Sequence, residues 1–144
     1  MRWMWMGWIL WAMVGTGLAG ATDTRILWQE RGDRGRPVFL YFSSEKCPAC
    51  RRMEATTLSR GGVVSTLNAD FCSVQPRGKR RGELARKYGV FGYPASVFLD
   101  PGGEKILTLP GYQSPAVFAV YLEYIRSRAY EEQSVWEYYA SEFE

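Results

Sequence analysis

Val38-Phe39-Leu40-Tyr41-Phe42, Cys47-Pro48-Ala49-Cys50 and the segment Arg51 to Leu58 follow one another with only a short polar turn between the first two. The five apolar residues read as a strand buried on both faces, and Arg51 to Leu58 reads as helix. Strand, turn, C-x-x-C and helix in that order is the arrangement of a redox dithiol. Cys47 then falls at the helix N-terminus, where unpaired backbone N–H groups and the helix dipole favour a thiolate. Cys50 lies one turn further in, placed to attack a mixed disulfide formed at Cys47. Cys47 is therefore the candidate nucleophile and Cys50 the resolving cysteine. Pro48 suits the first helical turn, because its missing N–H would have no partner there and its φ is already helical.

Other uses of the pair fare worse. A structural zinc site needs four ligands, and the chain has three cysteines and no histidine. Attachment of a c-type haem needs histidine right after the second cysteine, a position held by Arg51. A purely structural disulfide across so short a loop would add little stability.

The amino terminus indicates where such chemistry takes place. After Arg2 an uncharged run from Trp3 to Gly20 ends in Ala19-Gly20-Ala21, with the positive start, apolar centre and small-residue exit of a secretory signal. Cleavage after Ala21 is expected, which makes 1–21 a signal peptide and 22–144 the mature protein. Leu18-Ala19-Gly20 resembles a lipoprotein signal, but Ala21 stands where the lipid-accepting cysteine would be. The alternative is an uncleaved anchor, since about 18 apolar residues is the short end of a membrane span. Either way the remainder lies outside the cytoplasm, most simply in a bacterial periplasm, where disulfides persist. Its length suits a single domain.

The net charge of +3 becomes +2 once Arg2 is removed, and that balance calls for no nucleic acid. The charges are uneven. Arg77, Lys79, Arg80, Arg81, Arg86 and Lys87 cluster mid-chain, whereas Glu131, Glu132, Glu137, Glu142 and Glu144 crowd the tail. A solvated basic face is the ordinary reading of the cluster, and docking to an acidic partner protein is the alternative.

The remaining segments alternate between helix and strand. Thr24 to Arg31 is a helix candidate, Gly32 to Pro37 a turn region, and Gly61-Gly62 an interruption before Val63, Val64 and Leu67 recur at helical spacing. Phe71 to Val74 reads as a second strand and Gly82 to Tyr88 as another helix. Ser96 to Leu99 and Ile106 to Leu109 flank the turn signal Asp100-Pro101-Gly102-Gly103 and read as a hairpin. Ser114-Pro115 starts a helix in which Phe118, Tyr121, Leu122 and Ile125 form an apolar stripe over the sheet. Trp136, Tyr139, Ala140 and Phe143 repeat that spacing in a C-terminal helical extension over about 128–144, and this aromatic stripe reads as core. The whole is an α/β domain with a mixed sheet, parallel then antiparallel, flanked by helices.

Val90-Phe91-Gly92-Tyr93-Pro94-Ala95-Ser96 before the hairpin, taken with the C-x-x-C after the first strand, resembles the thioredoxin superfamily over roughly Pro37 to Ile125. The resemblance implies a thioredoxin-like fold in which Pro94 is cis and lies beside the dithiol. It also implies that backbone at Tyr93 hydrogen-bonds the substrate peptide, with Pro48 and Ala49 contacting it from the dithiol side. The leader, Leu109-Pro110-Gly111-Tyr112, Phe118 to Tyr124 and the aromatic tail are most similar to the periplasmic SoxW type. The C-terminal domain of DsbD-type membrane reductases is similar too. Both imply a reductant of disulfides in a periplasmic partner protein, recharged by a membrane electron donor of the DsbD/CcdA type, in sulfur oxidation or cytochrome maturation. The chain departs from cytoplasmic thioredoxin in having Pro-Ala between the cysteines and Tyr41 where a buried acid is usual.

Glu45 is the nearest acid in sequence and a candidate proton relay for Cys50, with Lys46 and Arg51 placed to favour the Cys47 thiolate; the alternative is that all three are ordinary surface charges beside an exposed loop. Cys72 suits a core position as a small hydrophobe, with a regulatory thiol as the alternative. The dithiol carries the electrons itself, so no cofactor and no metal are expected. Two alternatives stand beside the reductant: a disulfide-donating oxidase, and a non-catalytic module binding a metal or an apocytochrome.

Overall fold

The computed structural model describes residues 24–33 and 35–144. The leader assigned to 1–21 lies outside them. Strand β2, Val38–Phe42, forms the middle of the sheet and is buried along its whole length. Alternate side chains of a strand point to opposite faces, so Phe39 and Tyr41 enter one core and Val38, Leu40 and Phe42 the other. On one side β2 pairs in parallel with β3, Cys72–Val74, and on the other antiparallel with β4, Ala95–Leu99. Strand β5, Lys105–Pro110, completes the expected hairpin with β4. The five-stranded order is β1-β3-β2-β4-β5, mixed as the sequence suggested.

Strand β1, Trp28–Gln29, corrects the helix expected over Thr24 to Arg31. Asn68 grips this segment in extended form: its Oδ1 accepts the Leu27 N–H and its Nδ2 donates to the Arg25 carbonyl, both at 2.9 Å. Trp28 and Gln29 then register with Ser73 and Val74. The Trp28 ring stacks 6.0 Å from that of Tyr41. Sheet pairing and a side-chain clamp from a distant helix outweigh the weak local helical preference.

The sequence reading of three other boundaries also shifts. Helix α1 runs Pro48–Thr56, and α2 runs Gly61–Asp70, so Gly61-Gly62 opens a helix rather than interrupting one. The N–H groups of a helix's first turn have no intrahelical acceptor in any case, and burial of Val63, Val64 and Leu67 holds the helix in place. Helix α3, Gly78–Tyr88, begins a turn earlier than expected and ends at Gly89, whose φ of 69° caps it in the left-handed region. Helix α4, Pro115–Arg126, is capped by the Ser114 side chain and lays Phe118, Leu122 and Ile125 on the sheet.

Helices α1, α2 and α4 cover one face of the sheet, where Phe39, Phe71, Phe98 and Phe118 form a packed aromatic group with ring centroids 5.2 to 6.0 Å apart in the pairs Phe39–Phe98, Phe39–Phe118 and Phe71–Phe98. Helix α3 covers the other face, over Val38, Leu40, Cys72 and Val97. The tail forms a short 3-10 turn, Ala129–Glu131, and α5, Val135–Glu142, closed by a Ser134–Glu137 capping box. The aromatic stripe read there as core divides: Tyr139 packs on the domain together with Val135 and Tyr138, whereas Trp136 and Phe143 are 74% and 58% exposed. An eight-residue helix touching the domain along one line buries one line of side chains, and Val135, Tyr138 and Tyr139 take it. Among the described residues no helix is long and apolar enough to cross a membrane.

Candidate active site

The turn after β2 delivers Cys47 to the N-cap of α1 in extended conformation, with Pro48 as the first helical residue. Cys47 and Cys50 are joined as a disulfide. The Cys50 N–H donates to Cys47 Sγ at 3.1 Å, so the sulfur takes the capping place that a Ser or Asp oxygen usually fills. That donor and the helix dipole act on Cys47. The two cysteines differ in access: Cys47 retains an exposed edge at 9%, and Cys50 is closed off at 1%. Pro48 and Ala49 between them are exposed.

The surroundings of Cys50 include two residues that the linear sequence did not single out as a pair. Tyr41 donates from its hydroxyl to the Cys50 carbonyl at 3.4 Å. Burial, and then the carboxylate of Glu54, push the Tyr41 hydroxyl well above the usual tyrosine range. Glu54 is one helical turn beyond Cys50, a spacing that the sequence contains, but its approach to Tyr41 depends on how α1 lies on β2. Glu45 is exposed, as Glu54 is, and its backbone carbonyl accepts from Arg51 Nη1 at 3.3 Å. Cys72, the third cysteine, is fully buried beneath α3 and donates from Sγ to the Arg31 carbonyl at 3.4 Å. Among the described residues no group of three or more His, Cys, Asp or Glu side chains is arranged to hold a metal ion.

The Tyr93–Pro94 peptide bond is cis. Pairing of Phe42 with Ala95 sets the loop before β4 and the turn leading to Cys47 at one end of the sheet. The Pro94 carbonyl accepts from the Gly111 N–H at 2.8 Å, which joins the ends of the hairpin strands around the loop. An open, mostly apolar groove of about 390 Å³ runs beside it, lined by Phe91, Tyr93, Pro94, Thr108 and Gly111. Arg81 of α3 ties the two loops together: Nη1 donates to the Ser43 carbonyl at 2.9 Å, and the guanidinium lies over the Tyr93 ring, 5.4 Å from its centroid. Its place in a run of surface cations hid this role in the sequence.

A helix-capping disulfide, on a mixed sheet with a cis-proline loop at the same end, defines a thiol–disulfide oxidoreductase of thioredoxin type. Residues 29–126 match the family described as "Thioredoxin-like domain", and the chain belongs to it. It is 33% identical over 75 residues to the "Thiol:disulfide interchange protein DsbD" of Ralstonia nicotianae, a match covering 49% of this chain and 12% of that longer protein. A thioredoxin from Thermus thermophilus superposes with a TM-score of 0.54 at 38% identity, over 62% of this chain and 72% of its own. The oxidised DsbD C-terminal domain of Neisseria meningitidis gives 0.54 at 24% identity, over 64% of this chain and 82% of its own, and shares the fold.

Proposed function

We propose that this chain is a periplasmic reductant of disulfides in a partner protein, acting through Cys47 and Cys50. The observation that carries the assignment of roles is the asymmetry of the pair: Cys47 caps α1 and is the less buried of the two at 9%, against 1% for Cys50.

The reduced dithiol starts the cycle. The Cys47 thiolate attacks one sulfur of the partner's disulfide, forms a mixed disulfide and expels the first partner thiolate. Cys50 then loses its proton and attacks the Cys47 sulfur, which restores the Cys47–Cys50 bond and expels the second. Two electrons pass to the partner, whose thiolates take up protons. Backbone at Tyr93 and Pro94, with Pro48 and Ala49 opposite, holds the substrate segment during both steps. A carboxylate beside the helix, Glu54 or Glu45, accepts the Cys50 proton. A membrane donor of the DsbD/CcdA type recharges the disulfide.

Burial of Cys50 supports the outward direction of electrons, because a desolvated second sulfur gains nothing from ionising and leaves the dithiol without added stability. Lys46 and Arg51 near Cys47 favour the opposite reading, an oxidase, since stabilising the thiolate makes the disulfide more oxidising. The reduction potential decides between them. Equilibration against dithiothreitol or glutathione should give a value near thioredoxin's, about −270 mV, and a value near −120 mV would assign an oxidase. Cys50→Ser should accumulate a mixed disulfide with a peptide substrate through Cys47, visible by mass spectrometry. Cys47→Ser should accumulate none.

A further inference from the structure

We propose that the basic face beginning at Arg77 docks an acidic segment of the disulfide-bearing partner, in a groove that leads away from Tyr93 and Pro94. The inference rests on the oxidoreductase reading above and adds the chemical class of the partner.

Some cations of the domain pair with an acid within a turn of the chain, Lys79 of α3 with Glu83 at 3.8 Å among them. Arg36 holds Asp33 at 2.6 Å, Arg126 holds Glu123 at 2.5 Å, and Arg128 holds Glu131. Four arginines at the dithiol end meet neutral oxygens instead. Arg77 donates to the amide oxygen of Gln75 at 3.1 Å, Arg80 to the Glu30 carbonyl, Arg81 to the Ser43 carbonyl at 2.9 Å and Arg51 to the Glu45 carbonyl at 3.3 Å. None of the four forms an ion pair with a carboxylate of the described residues. A neutral oxygen satisfies a donor and orients the guanidinium, yet leaves its charge uncancelled, so a positive field persists over the groove.

The groove has a volume of about 680 Å³, and Lys46, Arg51, Arg77 and Arg81 stand in its walls. Arg81 also lies over Tyr93. A peptide laid along Tyr93 and Pro94 therefore passes Arg81 as it leaves the dithiol and enters the basic groove. Glu45 and Glu54 share these walls. Their charges repel a polymer carrying a phosphate at every unit, whereas a peptide can space single carboxylates toward the arginines. An acidic protein segment fits this pattern better than nucleic acid.

The test uses the full-length protein and three synthetic disulfide peptides of equal length, with flanks of Asp and Glu, of Ser and Gly, or of Lys. At low ionic strength the acidic peptide should be reduced about tenfold faster than the neutral one and the basic peptide more slowly, through electrostatic steering. In 1 M salt, where the screening length is about 3 Å, the three rates should converge. In the Arg77→Gln/Arg80→Gln variant the acidic-to-neutral ratio should fall toward one at low salt. Equal rates for all three peptides at low salt would overturn the docking proposal while leaving the oxidoreductase reading intact. Absence of exchange with every peptide would remove the oxidoreductase reading. Docking is then decided by the fluorescence anisotropy of a labelled acidic peptide lacking cysteine, which should bind and lose binding in the variant. Tighter binding of an oligonucleotide of equal charge would also overturn the proposal.

Discussion

The guanidinium of Arg81 lies 5.4 Å from the centroid of the Tyr93 ring while its Nη1 holds the Ser43 carbonyl. One side chain from α3 thus joins the loop before the dithiol to the loop carrying the cis-proline. Arg81→Met removes both contacts, a neutral-acceptor hydrogen bond and a cation–π contact, and should lower stability by about 1–2 kcal/mol in urea denaturation. With the loops no longer tied, KM for a peptide disulfide should rise while kcat changes little. Arg81→Lys should not restore KM, because an ammonium lacks the planar fork that serves both partners.

The carboxylate that takes the Cys50 proton can be identified by comparing two variants. Both carboxylates are exposed, but Glu54 approaches Tyr41, which bonds the Cys50 carbonyl, whereas Glu45 lies on the turn before Cys47. Glu54→Gln should slow peptide exchange near neutral pH by about tenfold or more and shift its pH profile. Glu45→Gln should leave both within a factor of about three. The reverse pattern would assign the proton transfer to Glu45.

Alkaline stability should depend on the buried tyrosines. Tyr41, Tyr121, Tyr124 and Tyr138 all have hydroxyls raised by burial. In the unfolded chain a tyrosine ionises near pH 10, about where the native groups still keep their protons. Above that pH the native state binds more protons than the unfolded state, so stability falls as pH rises through the native pKa values. The urea midpoint should drop between pH 9 and about 11.5. In Tyr41→Phe the drop should be shallower; an unchanged slope would place the effect elsewhere.

The tail offers a test of how little of an aromatic stripe is used. Trp136 is 74% exposed, and Trp136→Ala should change stability by no more than about 0.5 kcal/mol. Tyr138 packs its ring 5.2 Å from that of Tyr124, and Tyr138→Ala should cost about 1–3 kcal/mol. Thermal or urea unfolding of the two variants compares them directly.

Much of this protein was legible locally. The C-x-x-C at a helix start, the Asp100 to Gly103 turn between two strands, the Ser114-Pro115 cap and the apolar run of β2 are all written in residues a few positions apart, where backbone preferences and side-chain spacing act directly. The family resemblance rested on two such local motifs. Tertiary structure decided the matters that depend on residues far apart in the chain. Asn68 turned Thr24 to Arg31 from a helix candidate into an edge strand, 41 and 43 positions away from its partners. The tilt of α1 on β2 brought Glu54 rather than Glu45 to Tyr41. The docking of α3 set Arg81 over Tyr93, and neutral oxygens rather than carboxylates of the described residues became the partners of Arg77 and Arg80, which left their charge uncancelled. A side chain's intrinsic tendencies travel with it, but its neighbours across the sheet exist only once the chain has folded, and here those neighbours determine which charges are free to act.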